Sequence, residues 1–374
     1  MFKKFLFVAA LSVTLASCND DDDSTRDPLP IPAAYNGTNY DANTATQSAV
    51  ATNLNAQVTA AKQGRNAGTT VSIAQLETPY NDGNPSVRAV STTYYVGEME
   101  GPNGFMAQLV AASGGTFTPG DLTGQGGVYG PYLFDENGLE YEQLIEKGQF
   151  GAVLYKHATD LLSGNVSDAT VDQIITVFGA SPAFPNTNNA ASTPTPDRFM
   201  ANYGARRDKN DGNGLYSQMK NEFIKLQAAV KAGSEYDAEK QQAIDAIKLN
   251  WEKINAATII NYCHGATSTL SELSPTDAQK AGALHAIGEA IGFAHGWKTI
   301  PANYKLFTDA EIDEVLTLLN APAAGTPTVY AFATNPLVEL PKLQQVITML
   351  QDIYGFTDQE VEDFRQNWVT VQNR

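Results

Sequence analysis

Residues Gly282–Trp297 read G-A-L-H-A-I-G-E-A-I-G-F-A-H-G-W, and the fold is decided by how this stretch is read. It contains two of the chain's four histidines and one carboxylate. Its composition and spacing predict an apolar helix. On such a helix His285 and Glu289, four residues apart, share one face. Gly288, Gly292 and Gly296 are also four apart and form a stripe without side chains. A glycine inside a helix costs about 0.5–1 kcal/mol relative to alanine. Three in one stripe therefore imply that another helix, or a ligand, comes close to this backbone. A carboxylate on so apolar a helix is buried and needs a partner.

His264 lies 12 residues before Thr276 and His285 nine after it. If residues on either side of Pro275 form antiparallel neighbouring helices, the two histidines stand at similar heights. His285, Glu289 and His264 are thus the expected metal-ligand set. Imidazole and carboxylate donors suit iron or zinc, with iron or haem preferred and zinc second. The competing reading is a buried His–Glu hydrogen bond that fixes helix register and binds nothing. His295 is expected to face elsewhere, Glu252 to lie out of reach, and His157 to be a satisfied core or surface group. Cys263 and His264 are adjacent, which on a helix turns them about 100° apart and makes a poor nucleophile–base pair. No G-x-S-x-G, H-E-x-x-H, phosphate-loop or dinucleotide-binding pattern occurs.

The N-terminus carries Lys3 and Lys4, then a short apolar run from Phe5 to Leu15, then L-A-S-C ending at Cys18. That run is too short for a mature membrane span and reads as a signal peptide, residues 1–17. The L-A-S-C box resembles the bacterial lipobox, which implies lipidation at Cys18 and anchoring in the outer membrane. The following N-D-D-D-D resembles the surface-export signal of Bacteroidetes lipoproteins, which implies display on the cell exterior. Removing Lys3 and Lys4 takes the net charge from −17 to −19. So acidic a chain is a poor nucleic-acid binder. With Cys18 lipidated, Cys263 has no partner for a disulfide.

The remainder reads as an all-α protein of tandem helical bundles with long glycine-rich loops. Residues 18–35 are an acidic and proline-rich tether. Residues 36–181 form a first helical half, with helices expected over 42–67, 139–162 and, capped by Ser167, to Phe178. Residues 78–138 are expected to be mostly glycine-rich loop, with short helices over 87–95 and 105–112. Residues 182–197, P-A-F-P-N-T-N-N-A-A-S-T-P-T-P-D, read as a linker between halves. Residues 198–374 form the second bundle. Its helices are expected over 215–232, 237–273, 276–297, 312–319, 337–354 and 357–369. R-R-D-K-N-D-G-N-G, 206–214, is expected to be a turn leading into a helix; its spacing does not fit an EF-hand.

Three runs, E-K-G-Q-F-G-A-V-L-Y (146–155), N-W-E-K-I-N-A-A-T-I-I-N-Y (250–262) and A-L-H-A-I-G-E-A-I-G-F (283–293), resemble the Bacteroidetes lipoprotein family known as domain-of-unknown-function family 4856. That family implies no activity by itself. The last run also resembles the imelysin family, whose motif is G-x-H-x-x-E. Here Gly282 stands one residue early and Glu289 one residue late relative to His285. The imelysin resemblance implies paired helical bundles and a link to iron or haem uptake, with a TonB-dependent transporter as partner. It leads to the expectation of a surface lipoprotein that binds iron, haem or an iron chelate. The alternatives are an imelysin-like metal-dependent hydrolase with Glu289 as base, and a non-enzymatic adhesion or scaffold protein.

Overall fold

A computed structural model describes residues 26–374. The signal peptide, Cys18 and the acidic run after it lie outside the described residues. Where the tether becomes visible it is docked on the body. Arg26 pairs with Glu239 and stacks over Tyr236, 4.3 Å from its ring centre. Tyr35 is buried and its hydroxyl donates to Asp172 at 2.7 Å.

The architecture is all-α. The long helices are α1 (Ala45–Lys62), α2 (Tyr141–Gln149), α3 (Asp168–Phe178), α4 (Phe199–Arg207), α5 (Leu215–Ala232), α6 (Asp237–Leu270), α7 (Asp277–His295) and α8 (Pro336–Tyr354). Between α1 and α2 lie four shorter helices, Ile73–Asn81, Val87–Val90, Thr93–Met99 and Phe105–Ala112. They are followed by a small antiparallel hairpin of β1 (Gly127–Tyr129) and β2 (Tyr132–Phe134), with Val128 opposite Leu133. The helix expected over 105–112 is present, the one expected over 87–95 is split into two at Ser91, and the Ile73–Asn81 helix was not expected. The helix expected over 139–162 is continuous, but residues Phe150–Tyr155 are π-helical.

Local chemistry explains several starts. Ser72 with Gln75, Ser167 with Thr170, Thr276 with Gln279, Thr308 with Glu311 and Thr357 with Glu360 each form a reciprocal capping box. Each box satisfies two amide donors that the first helical turn otherwise leaves unpaired.

Helix α6 is the central post, packed by α4, α5, α7 and α8. Helix α7 runs back along it and turns its other side to α2. One cluster of buried apolar residues runs from Tyr35 to Val369, so both halves share a core. At its centre Tyr155 and Phe178 from the first half close on Trp251 of α6, with ring centres 5.4 and 4.9 Å away. Tyr155 also meets Trp297 at 4.2 Å. The stretch expected as a linker folds onto this body as a closed loop. Its ends meet where the Arg198 amide donates to the Gly179 carbonyl at 2.9 Å. Within it Phe184 is buried, and the Thr187 amide donates to Asp197.

The glycine stripe of α7 meets α2. A methyl group at position 292 would stand 2.5 Å from the Gln143 carbonyl oxygen and 2.9 Å from Lys147 Cβ. At 296 it would overlap the Gly148 carbonyl. Gly282, on the same helix, has open space around it. Gly292→Ala is therefore expected to destabilise the protein by about 1–3 kcal/mol through overpacking. Gly282→Ala is expected to stabilise it by about 0.5–1 kcal/mol through helix propensity. Urea unfolding of the two variants beside wild type checks both signs.

Candidate functional site

The seam between α2 and α7 holds the chain's densest set of buried charges. From α2 and the residue before it come Glu140, Glu142, Glu146 and Lys147. From α7 come His285 and Glu289. Lys62 and Arg65 reach in from the end of α1 and the turn after it. These groups form a linked series. Lys62 Nζ lies 2.8 Å from Glu146, and Lys147 Nζ lies 3.1 Å from both Glu146 and Glu289. Glu289 also accepts from the hydroxyls of Tyr203, at 3.4 Å, and Tyr262. Arg65 pairs with Glu140 at 3.0 Å and with Glu142.

His285 sits at the junction. Its Nδ1 is 2.6 Å from Glu140 Oε2, and its Nε2 is 3.7 Å from Glu289 Oε2. The carboxylate at Nδ1 orients the ring and makes Nε2 the more basic nitrogen. Tyr132, at the start of β2, stacks flat on the imidazole, with centres 3.9 Å apart and planes 9° apart. The Arg65 guanidinium covers the far face of the series, 5.1 Å from the Tyr132 ring centre. The His285 side chain keeps 18% of its surface exposed, so its edge is reachable from outside.

Burial alone would push these carboxylates up. For Glu289 the Lys147 ammonium and His285 outweigh burial and hold it below the usual range. For Glu146, Lys147 and Lys62 do the same. Lys147 is fully enclosed, which disfavours its charge, but Glu146, Tyr203 and Glu289 raise it well above the ordinary lysine value. Glu142 goes the other way. Burial and the neighbouring Glu140 and Glu146 raise it despite Arg65.

Of the expected ligands, the structure brings His285 and Glu289 together and separates His264 from them. His264 lies on the face of α6 turned to the C-terminal segment, at the Val361 backbone and beside Arg365 and Glu362. The height argument fixed its level along the helix but not the direction of its side chain. Burial lowers its pKa to about 4. His295 is buried against Tyr94, whose hydroxyl is 3.2 Å from Nε2, and faces away from His285 as expected. Glu252 is held by the Leu306 and Phe307 amides and by the Tyr354 hydroxyl. Cys263 is buried, and burial pushes its thiol up to about 12. In the 206–214 turn, Asp208 spends its carboxylate on the amides of Asn210 and Ser217.

Sequence reading missed Glu140, Lys147, Arg65 and Tyr132. A signal was present in E-Y-E-Q-L-I-E-K, 140–147, where Glu142 and Glu146 stand four apart on one helical face. Among the described residues, no group of three or more His, Cys, Asp or Glu side chains is arranged to hold a metal ion. At the partly exposed edge of the seam, His285 Nε2 and Glu289 Oε2 face each other at 3.7 Å.

Residues 181–357 match the family described as Domain of unknown function (DUF4856). The match takes in α4 through α8, including His285 and Glu289, and ends before the 358–363 helix. It begins after α2, so the helix that supplies Glu142, Glu146 and Lys147 lies ahead of it. No curated protein and no solved structure matches the chain.

Lys147 is the common counter-ion of two depressed carboxylates. Lys147→Met is expected to cost about 3–5 kcal/mol at pH 7, the range for stripping one partner from a buried pair. Because Glu146 and Glu289 are depressed, their contribution is complete above the unfolded carboxylate value of about 4.3. It is lost as pH falls through the lower native values. The gap between wild type and variant should therefore narrow as pH drops below about 4, and urea midpoints measured from pH 7 to pH 3 check this.

Proposed function

We propose that this chain is a lipid-anchored protein of the outer cell surface that binds iron as a chelate and hands it to an outer-membrane transporter. Binding is the reading favoured here, and the observation that carries it is the disposition of His285. One nitrogen is fixed by Glu140, and the other stands 3.7 Å from Glu289 Oε2 at a partly exposed edge. Imidazole nitrogen and carboxylate oxygen are a suitable donor pair for iron, and Glu140 is the usual outer partner of a ligating histidine. Two protein donors do not complete a coordination sphere. A chelate that brings its own donors fits this better than a resident ion. It also fits better than haem, because Tyr132 lies flat on the imidazole and Glu289 stands in front of Nε2.

The imelysin resemblance of residues 283–293 and the lipobox-like N-terminus support the uptake role and the surface location. Among the described residues, no helix is long and apolar enough to cross a membrane. The hydrolase alternative would use Glu289 as base, but Lys147 and Tyr203 hold one of its oxygens. The scaffold reading draws support from the same Lys147 contacts, which tie α7 to α2.

The test is calorimetric titration of the full chain, purified in detergent, with ferric citrate. Binding at one site per chain is expected, with at least a tenfold loss in His285→Ala. Tyr132→Ala is expected to bind at least as well as wild type, because it uncovers the ring. Equal or absent binding in wild type and His285→Ala, with a lower melting temperature in the variant, would assign the pair to helix packing alone.

A further inference from the structure

The chain has 41 acidic against 24 basic side chains, yet one of its clefts carries no carboxylate. This cavity, of about 320 Å³, lies between α1, the end of α3 and the first turn of α4. Hydroxyl groups line it, from Tyr40, Ser48, Thr52, Ser181 and Thr195, and Arg198 stands at its edge. The closed loop 182–197 forms one wall through Pro194, Thr195 and Pro196. Ser181 and Thr195 bond each other across the neck of that loop at 3.1 Å.

Of the chain's eight arginines, Arg26, Arg65, Arg88 and Arg365 form carboxylate pairs among the described residues, and Arg198, like Arg206, Arg207 and Arg374, does not. Arg198 is partly buried, and that alone lowers its pKa, with no acid offsetting it. Its backbone is anchored, and its side chain packs on its neighbour. The main-chain amide is bonded to Gly179, and the guanidinium lies 4.9 Å over the Phe199 ring. Phe199 itself is held at φ 46°, a left-handed conformation rare for a bulky residue. On its other side Arg198 borders a smaller cavity of about 130 Å³ that Glu146 also lines, with Glu146 held by Lys62 and Lys147.

A guanidinium without a carboxylate partner, at the edge of a cleft of hydroxyls, matches a ligand with one carboxylate and several hydroxyl groups. The volume is far more than a bare oxyanion fills and lies in the range of small-molecule sites. We propose that this cleft binds an acidic sugar. Arg198 takes the carboxylate, and the hydroxyls of Ser48, Thr52, Ser181 and Thr195 take the ring hydroxyls. The site is separate from the α2–α7 seam and stands or falls independently of iron binding.

The test is calorimetric titration of the full chain in detergent with glucuronate, glucose and inorganic phosphate. Glucuronate is expected to bind, with glucose and phosphate at least tenfold weaker. Arg198→Gln, a change at an exposed side chain, is expected to lower glucuronate affinity at least tenfold with an unchanged melting temperature. Thr195→Val is expected to weaken it as well. Failure of glucuronate to bind, or equal binding by wild type and Arg198→Gln, would overturn the proposal. Phosphate binding as tightly as glucuronate would overturn the assignment to a sugar acid.

Discussion

The approach of α7 to α2 is the contact on which the rest of this structure depends. The glycines of α7 let its backbone reach the Gln143 and Gly148 carbonyls of α2, and Gly151 returns the contact at the Gly296 carbonyl. At that separation only short side chains or none fit between the helices. The long polar side chains at the flanks must then turn along the seam and meet one another. Glu140, Lys147, His285 and Glu289 are close because the glycines between them are bare. Burying so many charges is unfavourable unless each is matched. The matching here is a series in which Lys147 and Arg65 each serve two carboxylates.

The π-helical segment Phe150–Tyr155 belongs to the same arrangement. It directly follows α2, and it widens the helix where Phe150 meets Tyr203 and Phe293 and where Gly151 meets α7. Such segments interrupt the regular ladder and are tolerated where packing over-determines the backbone. Its aromatic residue Tyr155 reaches Trp251 and Trp297, so the segment also ties the first half to the central post.

The sequence was most legible where a signal is local. Capping residues at Ser167, Thr276 and Thr308, and Gly233 after α5, set helix ends close to where they lie. The i,i+4 relation of His285 and Glu289 and the closeness implied by the glycine stripe were also readable. What was lost depended on tertiary context. The Ile73–Asn81 helix carries Pro79 and little apolar periodicity, and it is held by its Ser72 cap and by Leu76 and Tyr80 in the core. The β1–β2 hairpin has only three residues per strand, too few for alternation to register. Helix α4 is short and starts at a residue with positive φ, which propensity does not anticipate. Lys147 and Glu140 could not be paired with α7 because more than 130 residues separate them. His264 failed because height along a helix says nothing of azimuth.

The two roles argued for the seam, holding helices and offering donors, are compatible because they use different oxygens. Glu289 gives Oε1 to Lys147 and Tyr203 and turns Oε2 toward His285. Glu140 gives Oε1 to Arg65 and Oε2 to His285 Nδ1. Each carboxylate is thus anchored through one oxygen and presents the other. The anchoring oxygens fix the presenting ones without needing a ligand, which is the preorganisation that a weak, two-donor site requires. Nε2 and Oε2 stand 3.7 Å apart at a partly exposed edge, wider than the about 2.9 Å of a direct hydrogen bond. Under the proposed binding role, that gap, bordered on both sides by bonded partners, is where the iron would enter.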